Sequence, residues 1–122
     1  MAISRVALDF YELREQNVKR LARWHNPDSE PWTGADWSNA MGGESGEAQN
    51  VVKKLRRHET RTSPQGDPSR VELYQALADE LADVVTYADL LAHFYGIDLG
   101  HAVAVKFNRK SREQGFPERL PE

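Results

Sequence analysis

The sequence predicts an all-α fold with four helices. Glycine and proline divide the chain into helix-length stretches, and apolar residues recur at helical spacing within them. No useful length of sequence alternates between apolar and polar residues, as a half-buried strand would. The 122 residues are expected to form one domain, residues 1–122. An up-and-down four-helix bundle, or half of a larger helical assembly, is the architecture that four such helices favour.

The first two helices are predicted on either side of a proline-rich segment, residues 27–31. The first spans residues 4–24, where the apolar residues at helical spacing are Val6, Phe10, Leu13, Val18 and Leu21. The second is predicted to begin with Asp36 as its N-cap and to run to about His58. A pair of glycines near its start lowers the helix propensity of its opening turns.

The last two helices have clear start and stop signals. A polar loop, residues 60–69, precedes the third helix, which is predicted over residues 70–95 and closed by Gly96. Asp98 is the expected N-cap of the fourth helix, residues 99–114. A glycine and a proline shortly after residue 114 end it.

Composition excludes several classes of protein. The chain has 16 basic and 19 acidic residues and a net charge of −3, which argues against a protein that coats nucleic acid or anionic membranes. It has no cysteine, so disulfides, thiolate zinc sites and cysteine nucleophiles are excluded. Its longest stretch without a charged residue is eight residues, far below the ~20 apolar residues of a membrane span. We expect a soluble, cytoplasmic protein.

One face of the second helix has a glutamate inside an apolar stripe, at about 100° per residue. The stripe consists of Trp37, Ala40, Met41, Ala48, Val51 and Leu55. Glu44 falls near its middle, and Glu47, one turn further on, lies at its edge with Lys54 beyond it. Burying a carboxylate costs several kcal/mol unless it is paired or binds a metal.

The third helix carries a matching pair of acids. Its core stripe is predicted to be Leu73, Leu77, Leu81, Val84, Ala88 and Leu91. Glu80, Asp83 and Tyr87 form a second stripe along the flank. If the two helices pack face to face, four acids surround one small space, and their repulsion destabilises the fold unless a cation is bound. Oxygen ligands without cysteine or histidine favour Mg²⁺, with Mn²⁺ as a substitute.

Each of these patterns also has a purely structural interpretation. Glu-x-x-Glu and Glu-x-x-Asp are common on solvated helix faces, and we interpret Asp79 and Asp89 as residues of that kind. What favours a metal site is the combination of Glu44 within an apolar stripe and a second acidic pair on another helix.

Cations and aromatic residues accompany the acids. On the fourth helix, Lys106 and Arg109 lie one turn apart, where they could neutralise phosphate oxygens or simply complement the helix dipole. Trp37 and Tyr87 flank the acidic pairs and could stack on a base, or belong to the core. The basic run at residues 53–57 is short and has no interleaved aromatic residues, so apart from Lys54 it is interpreted as a solvated face.

Taken together, these residues resemble the MazG-like, all-α nucleoside triphosphate pyrophosphohydrolases. Residues 37–48, WSNAMGGESGEA, followed by residues 79–84, DELADV, match the family signature of Glu-x-x-Glu, an intervening segment and Glu-x-x-Asp. Residues 106–109, KFNR, and residues 115–120, GFPERL, are also similar to that family. The resemblance covers residues 36–120.

The resemblance implies a fold, a reaction and a set of roles. It implies a MazG-like bundle that assembles as a homodimer or homotetramer, binds Mg²⁺ and hydrolyses an NTP or dNTP to the monophosphate and pyrophosphate. The implied metal ligands are Glu44, Glu47, Glu80 and Asp83. We expect Glu47 to position or deprotonate the water that attacks the α-phosphorus, and Glu44 to be the second catalytic residue. The implied phosphate ligands are Lys54, Lys106 and Arg109, and the implied nucleoside contacts are Trp37 and Tyr87.

Substrate preference is left open by the resemblance. The wide rings of Trp37 and Tyr87 suggest a purine such as dGTP, in a protein that controls nucleotide pools. A dUTP- or dCTP-type hydrolase of the same superfamily and a non-catalytic nucleotide-sensing module are the alternatives. The partners expected are the nucleotide and other copies of the chain, with neither a nucleic acid polymer nor a membrane. Thirty-two residues separate Glu47 from Glu80, more than we expect for compact members, and the polar loop accounts for the excess.

Overall fold

The computed structural model describes residues 7–122, and in that range it contains four α-helices and no β-strand. The helices are α1 (Phe10–Trp24), α2 (Gly34–Glu59), α3 (Arg70–Phe94) and α4 (Leu99–Gln114). The predicted all-α class is therefore confirmed. No helix of the described residues is long and apolar enough to cross a membrane.

The bounds of α3 and α4 follow the predicted signals closely. α3 ends one residue earlier than expected, and Gly96 adopts a left-handed φ of +68° just after it. Asp98 caps α4, its side chain accepting a hydrogen bond from the His101 N–H at 3.0 Å. Gly115, with φ +70°, ends α4. Both glycines occupy a conformation that other residues rarely adopt.

α1 begins later than the apolar spacing suggested. Residues 7–9 are not helical, and the Asp9 side chain accepts a hydrogen bond from the Glu12 N–H at 2.8 Å. The earlier part of the predicted helix, which includes Val6, lies outside the described residues. An aspartate that caps its own helix fixes the start there, whatever the apolar pattern before it.

The predicted start of α2 was wrong by three residues. The N-cap is Thr33, and Asp36 is the third helical residue of a capping box. The Asp36 carboxylate accepts a hydrogen bond from the Thr33 N–H at 2.8 Å, and the Thr33 hydroxyl accepts one from the Asp36 N–H at 3.4 Å. These reciprocal bonds satisfy two donors that would otherwise lack a partner, so they stabilise the earlier start.

The chain divides into two compact units. Among the described residues, the first unit comprises residues 7–31 and 92–122 and contains α1 and α4; the second is Trp32–Leu91 and contains α2 and most of α3. The expectation of one domain over residues 1–122 stays a prediction.

In the first unit, α1 contacts α4 closely at Gly100. A Cβ at this position would lie 3.0 Å from the Cβ of Phe10, so glycine is the residue that lets the two helices approach. The C-terminal segment is held by Asn108, which is only 2% exposed. Its amide donates to the Leu120 carbonyl at 2.8 Å and accepts from the Leu120 N–H at 2.7 Å. The residues after α4 are thereby fixed against that helix.

In the second unit, α2 and α3 run antiparallel. Seven residues separate Glu44 from Trp37 on α2 and Glu80 from Tyr87 on α3; Glu44 meets Glu80, and Trp37 meets Tyr87. The buried apolar residues of this unit are Trp37, Ala48, Leu55, Leu73 and Leu90. This arrangement places the predicted acidic faces of the two helices towards each other.

The loop between α2 and α3 is tied to the end of α2. Arg57 forms a salt bridge with Asp67 at 3.1 Å, and Ser63 donates to the same carboxylate at 3.2 Å. The His58 Nε2 lies 2.8 Å from the Pro68 carbonyl oxygen. The extra length noted between Glu47 and Glu80 therefore forms an ordered connection.

Two predictions about α3 were wrong. Leu81 was assigned to the core but is 51% exposed; because neighbouring residues on a helix are about 100° apart, turning Glu80 towards α2 turns Leu81 outwards. Asp89 was interpreted as solvated but is 0% exposed. It is not without a partner, which is the condition under which a buried carboxylate is tolerated. Asp79 is exposed, as expected.

Candidate metal centre

Three of the four predicted acids converge in the second unit. Glu44, Glu47 and Glu80 each offer one carboxylate oxygen to a group whose atoms all lie within 4.8 Å of one another. α2 supplies the first two, one helical turn apart, and α3 supplies the third. We call these three residues the acidic cluster. Three carboxylates this close repel one another at neutral pH unless protons or a cation intervene.

Two oxygens of the acidic cluster are buried and have no hydrogen-bond partner among residues 7–122. They are the Oε2 atoms of Glu44 and Glu80, whose side chains are half-buried. Glu47 is exposed. A buried carboxylate oxygen without a partner is unfavourable, so each such atom calls for an explanation. A bound cation would supply the missing partner for both.

The surroundings shift the protonation of the two half-buried acids. Burial, followed by the nearby Glu47 carboxylate, raises the pKa of Glu44 above its usual value. Hydrogen bonding with Glu47, followed by burial, raises the pKa of Glu80 from 4.5 to about 7. Without a cation, the acidic cluster therefore holds a proton at weakly acidic pH.

Asp83, the fourth predicted ligand, lies outside the group of three. Its side chain is exposed, one turn after Glu80 on α3. It is nevertheless near enough for its charge to help raise the pKa of Glu44. The part of Asp83 in a metal site stays a prediction.

Trp37 and Tyr87 contact each other, with their ring centroids 6.3 Å apart. Trp37 is only 7% exposed, whereas Tyr87 is half-buried. A third ring, Trp32, packs on Trp37 with centroids 4.6 Å apart and is itself 50% exposed. We call Trp32, Trp37 and Tyr87 the aromatic cluster. Trp32 was not predicted as a site residue because it precedes α2 and belongs to no periodic pattern.

Of the predicted phosphate ligands, one lies in the same unit as the acids. Lys54 is half-buried on α2, seven residues after Glu47, and forms no salt bridge with any residue in the range 7–122. Lys106 and Arg109 are exposed on α4, in the first unit. Their role as phosphate ligands stays a prediction.

Glycines surround the acids of α2. Gly42, Gly43 and Gly46 all lie within the continuous helix and are exposed. Apart from the helix's own backbone and the adjacent residues, a Cβ added at any of them would meet no atom of residues 7–122 within 4 Å. Close packing inside the chain therefore does not require glycine at these positions.

The donor set of the acidic cluster fits a hard divalent cation. Its ligands are all carboxylate oxygens, which suit Mg²⁺ or Mn²⁺ better than softer metals. The two buried oxygens without partners are the observation in favour of a cation. If Mg²⁺ binds here, Glu44, Glu47 and Glu80 hold it.

Comparison with known proteins assigns the chain to no family. No family model matches the chain, and no curated protein is significantly similar to it. The functional interpretation therefore depends on the residues and their arrangement.

Proposed function

We propose that this protein is a Mg²⁺-dependent nucleoside triphosphate pyrophosphohydrolase of the MazG-like type. The observation that supports this most is the meeting of Glu44, Glu47 and Glu80, with two buried carboxylate oxygens that lack partners. The order of acids along the two helices resembles the family signature, and the antiparallel pairing of α2 and α3 brings Glu80, from its second half, to the two glutamates of its first half.

In this proposal, the exposure of each residue determines its role. Bound Mg²⁺ would neutralise phosphate oxygens and lower the pKa of a coordinated water. Glu47 is the exposed member of the acidic cluster, so it can accept a proton from the water that attacks the α-phosphorus. The bond between the α-phosphorus and the α–β bridging oxygen then breaks, and pyrophosphate leaves. Lys54, Lys106 and Arg109 are the proposed neutralising cations, and Asp83 is the proposed fourth metal ligand.

The test is pyrophosphate release from the four ribonucleoside triphosphates, the four canonical deoxyribonucleoside triphosphates and dUTP, each with Mg²⁺ and with EDTA. Release that requires the metal, strongest for a purine such as dGTP, is the expected result. Release from dUTP or dCTP alone would place the protein in the other branch of the superfamily. Metal-independent nucleotide binding without any product would contradict the proposal and favour a nucleotide-sensing module.

We also propose that the protein forms a homodimer or homotetramer, on the evidence of α3. Its outward side carries Val71, Tyr74, Ala78, Leu81 and Val85, all of them exposed. Their spacing of three and four residues places them within an arc of about 80°. Such a stripe is the pattern by which helices associate.

Replacing Leu81 with Lys is expected to weaken self-association, because a charge within this stripe opposes its burial. Light scattering over a range of protein concentrations measures the mass. Val52→Lys is the matched control, since Val52 is similarly exposed but lies on α2. A wild-type mass equal to one chain at all concentrations would contradict the oligomer.

A further inference from the structure

The aromatic cluster contains one ring that offers an open face. Trp32 is half exposed and rests on Trp37, which is buried and in turn contacts Tyr87. Two contacts hold the Trp32 ring in place. The ring packs on Trp37, and the next residue in the chain, Thr33, is fixed by the capping box of α2. Trp32 therefore presents an exposed aromatic face whose position is fixed by packing.

Aromatic, acidic and basic groups follow one another along α2. Trp37, Glu44 and Lys54 are separated by seven and then ten residues. At 1.5 Å per residue, the aromatic end lies about 10 Å along the helix axis from the acids, and Lys54 lies about 15 Å beyond Glu44 on the other side. A nucleoside triphosphate has the same order: an apolar base, then phosphates that bind metal, then further negative charge.

We propose that Trp32 is the surface on which the nucleobase stacks, so that the substrate lies along α2 with its base towards Trp32 and its terminal phosphates towards Lys54. This inference rests on the proposed function, since it assigns the base end of the same substrate. It differs from the sequence-based expectation, which gave the base to Trp37 and Tyr87. With 7% of its surface exposed, Trp37 serves instead as the ring behind Trp32.

The other exposed tryptophan does not fit this role. Trp24 lies at the end of α1, in the unit that lacks the acidic cluster. The Arg20 guanidinium covers its ring, 5.0 Å from the centroid. Trp24 therefore serves as the matched control for Trp32.

The first test is fluorescence. In the Trp24→Phe variant, only Trp32 and Trp37 remain as tryptophans. Adding a nucleoside triphosphate with a non-hydrolysable α–β bridge, together with Mg²⁺, is expected to quench the emission in a saturable manner, because a stacked base covers the ring. Adding Trp32→Leu to this background is expected to remove the quenching. Quenching of the same size in the double variant would overturn the inference.

The second test separates base contact from phosphate contact. Trp32→Leu is expected to weaken nucleotide binding and raise KM by about tenfold or more, the range of one stacked base. Its affinity for inorganic tripolyphosphate, which has no base, should stay at the wild-type value. Trp32→Phe should restore most of the nucleotide affinity, and Trp24→Phe should leave every constant unchanged.

The two proposals fail in different ways. Metal-dependent pyrophosphate release with an unchanged KM in Trp32→Leu overturns the role of Trp32 and leaves the proposed function standing. No pyrophosphate release from any triphosphate overturns the proposed function, whatever the fluorescence shows. Equal loss of tripolyphosphate and nucleotide affinity in both Trp32→Leu and Trp32→Phe indicates a merely structural ring and overturns the inference.

Discussion

Replacing Glu47 with Gln is expected to reduce pyrophosphate release by about 10²–10⁴-fold, the contribution typical of a general base. Glutamine has nearly the same shape but cannot accept the proton of the attacking water. Glu47 is exposed and sits in a helix, so the substitution leaves the fold intact. Pyrophosphate release under saturating substrate and Mg²⁺ measures the loss, and circular dichroism checks the helix content.

Glu59→Gln is the matched control for this prediction. Glu59 is an exposed glutamate on the same helix, and among the described residues its salt-bridge partner is Arg56 at 3.0 Å; exposed salt bridges contribute little. The variant should therefore keep wild-type activity. A Glu47→Gln enzyme that works at the wild-type rate would overturn the assignment of Glu47 as the base.

Replacing Glu80 with Gln is expected to reduce the dependence of the melting temperature on pH and on Mg²⁺. The pKa of Glu80 is raised from 4.5 to about 7 in the folded chain. Because this pKa is higher in the folded chain than in the unfolded chain, its contribution to the free energy of unfolding is fully present below about pH 4.5. That contribution is lost as the pH rises through about 7. The metal-free wild-type protein should therefore melt at a lower temperature at pH 8 than at pH 5, and Mg²⁺ should reverse this loss because it binds the ionised carboxylates.

In the Glu80→Gln variant there is no charge at this position to repel its neighbours. Its melting temperature without metal should exceed that of the wild-type chain at pH 8, and added Mg²⁺ should raise it little. Thermal melts from pH 4 to 8, with and without Mg²⁺, test both expectations. Asp79→Asn, an exposed acid beside Glu80 on α3, is the control and should behave like the wild-type chain. Undiminished stabilisation of Glu80→Gln by Mg²⁺ would remove Glu80 from the metal site.

Local signals predicted most of the fold, and long-range contacts caused the errors. Gly96, Asp98 and Gly115 fixed the bounds of α3 and α4, because caps and left-handed glycines act through neighbouring residues. The start of α2 was misplaced because two residues of one capping box, Thr33 and Asp36, compete for the same role. The burial of Asp89 depends on packing that no pattern within α3 contains.

The candidate site was predictable to the extent that helical spacing determines it. Glu44 and Glu80 were predicted to meet because Glu44 lies within the apolar stripe of α2 and Glu80 lies on the flank of the core stripe of α3, and the structure brings them together. Their meeting required only that α2 and α3 be antiparallel. Trp32 could not be found in this way, since it lies outside any helix, and its packing on Trp37 depends on the path of the chain before α2.

The glycines of α2 lower the helix propensity of the stretch that carries the acids. Each glycine inside a helix costs roughly 0.5–1 kcal/mol relative to alanine, and Gly42, Gly43 and Gly46 fall within five residues around Glu44. We therefore expect the backbone hydrogen bonds here to break more readily than those near Leu55, and the amide protons at the acids to exchange with solvent sooner. We expect a ligand that holds Glu44 and Glu47 together to slow this exchange, because it ties two successive turns of α2 to each other.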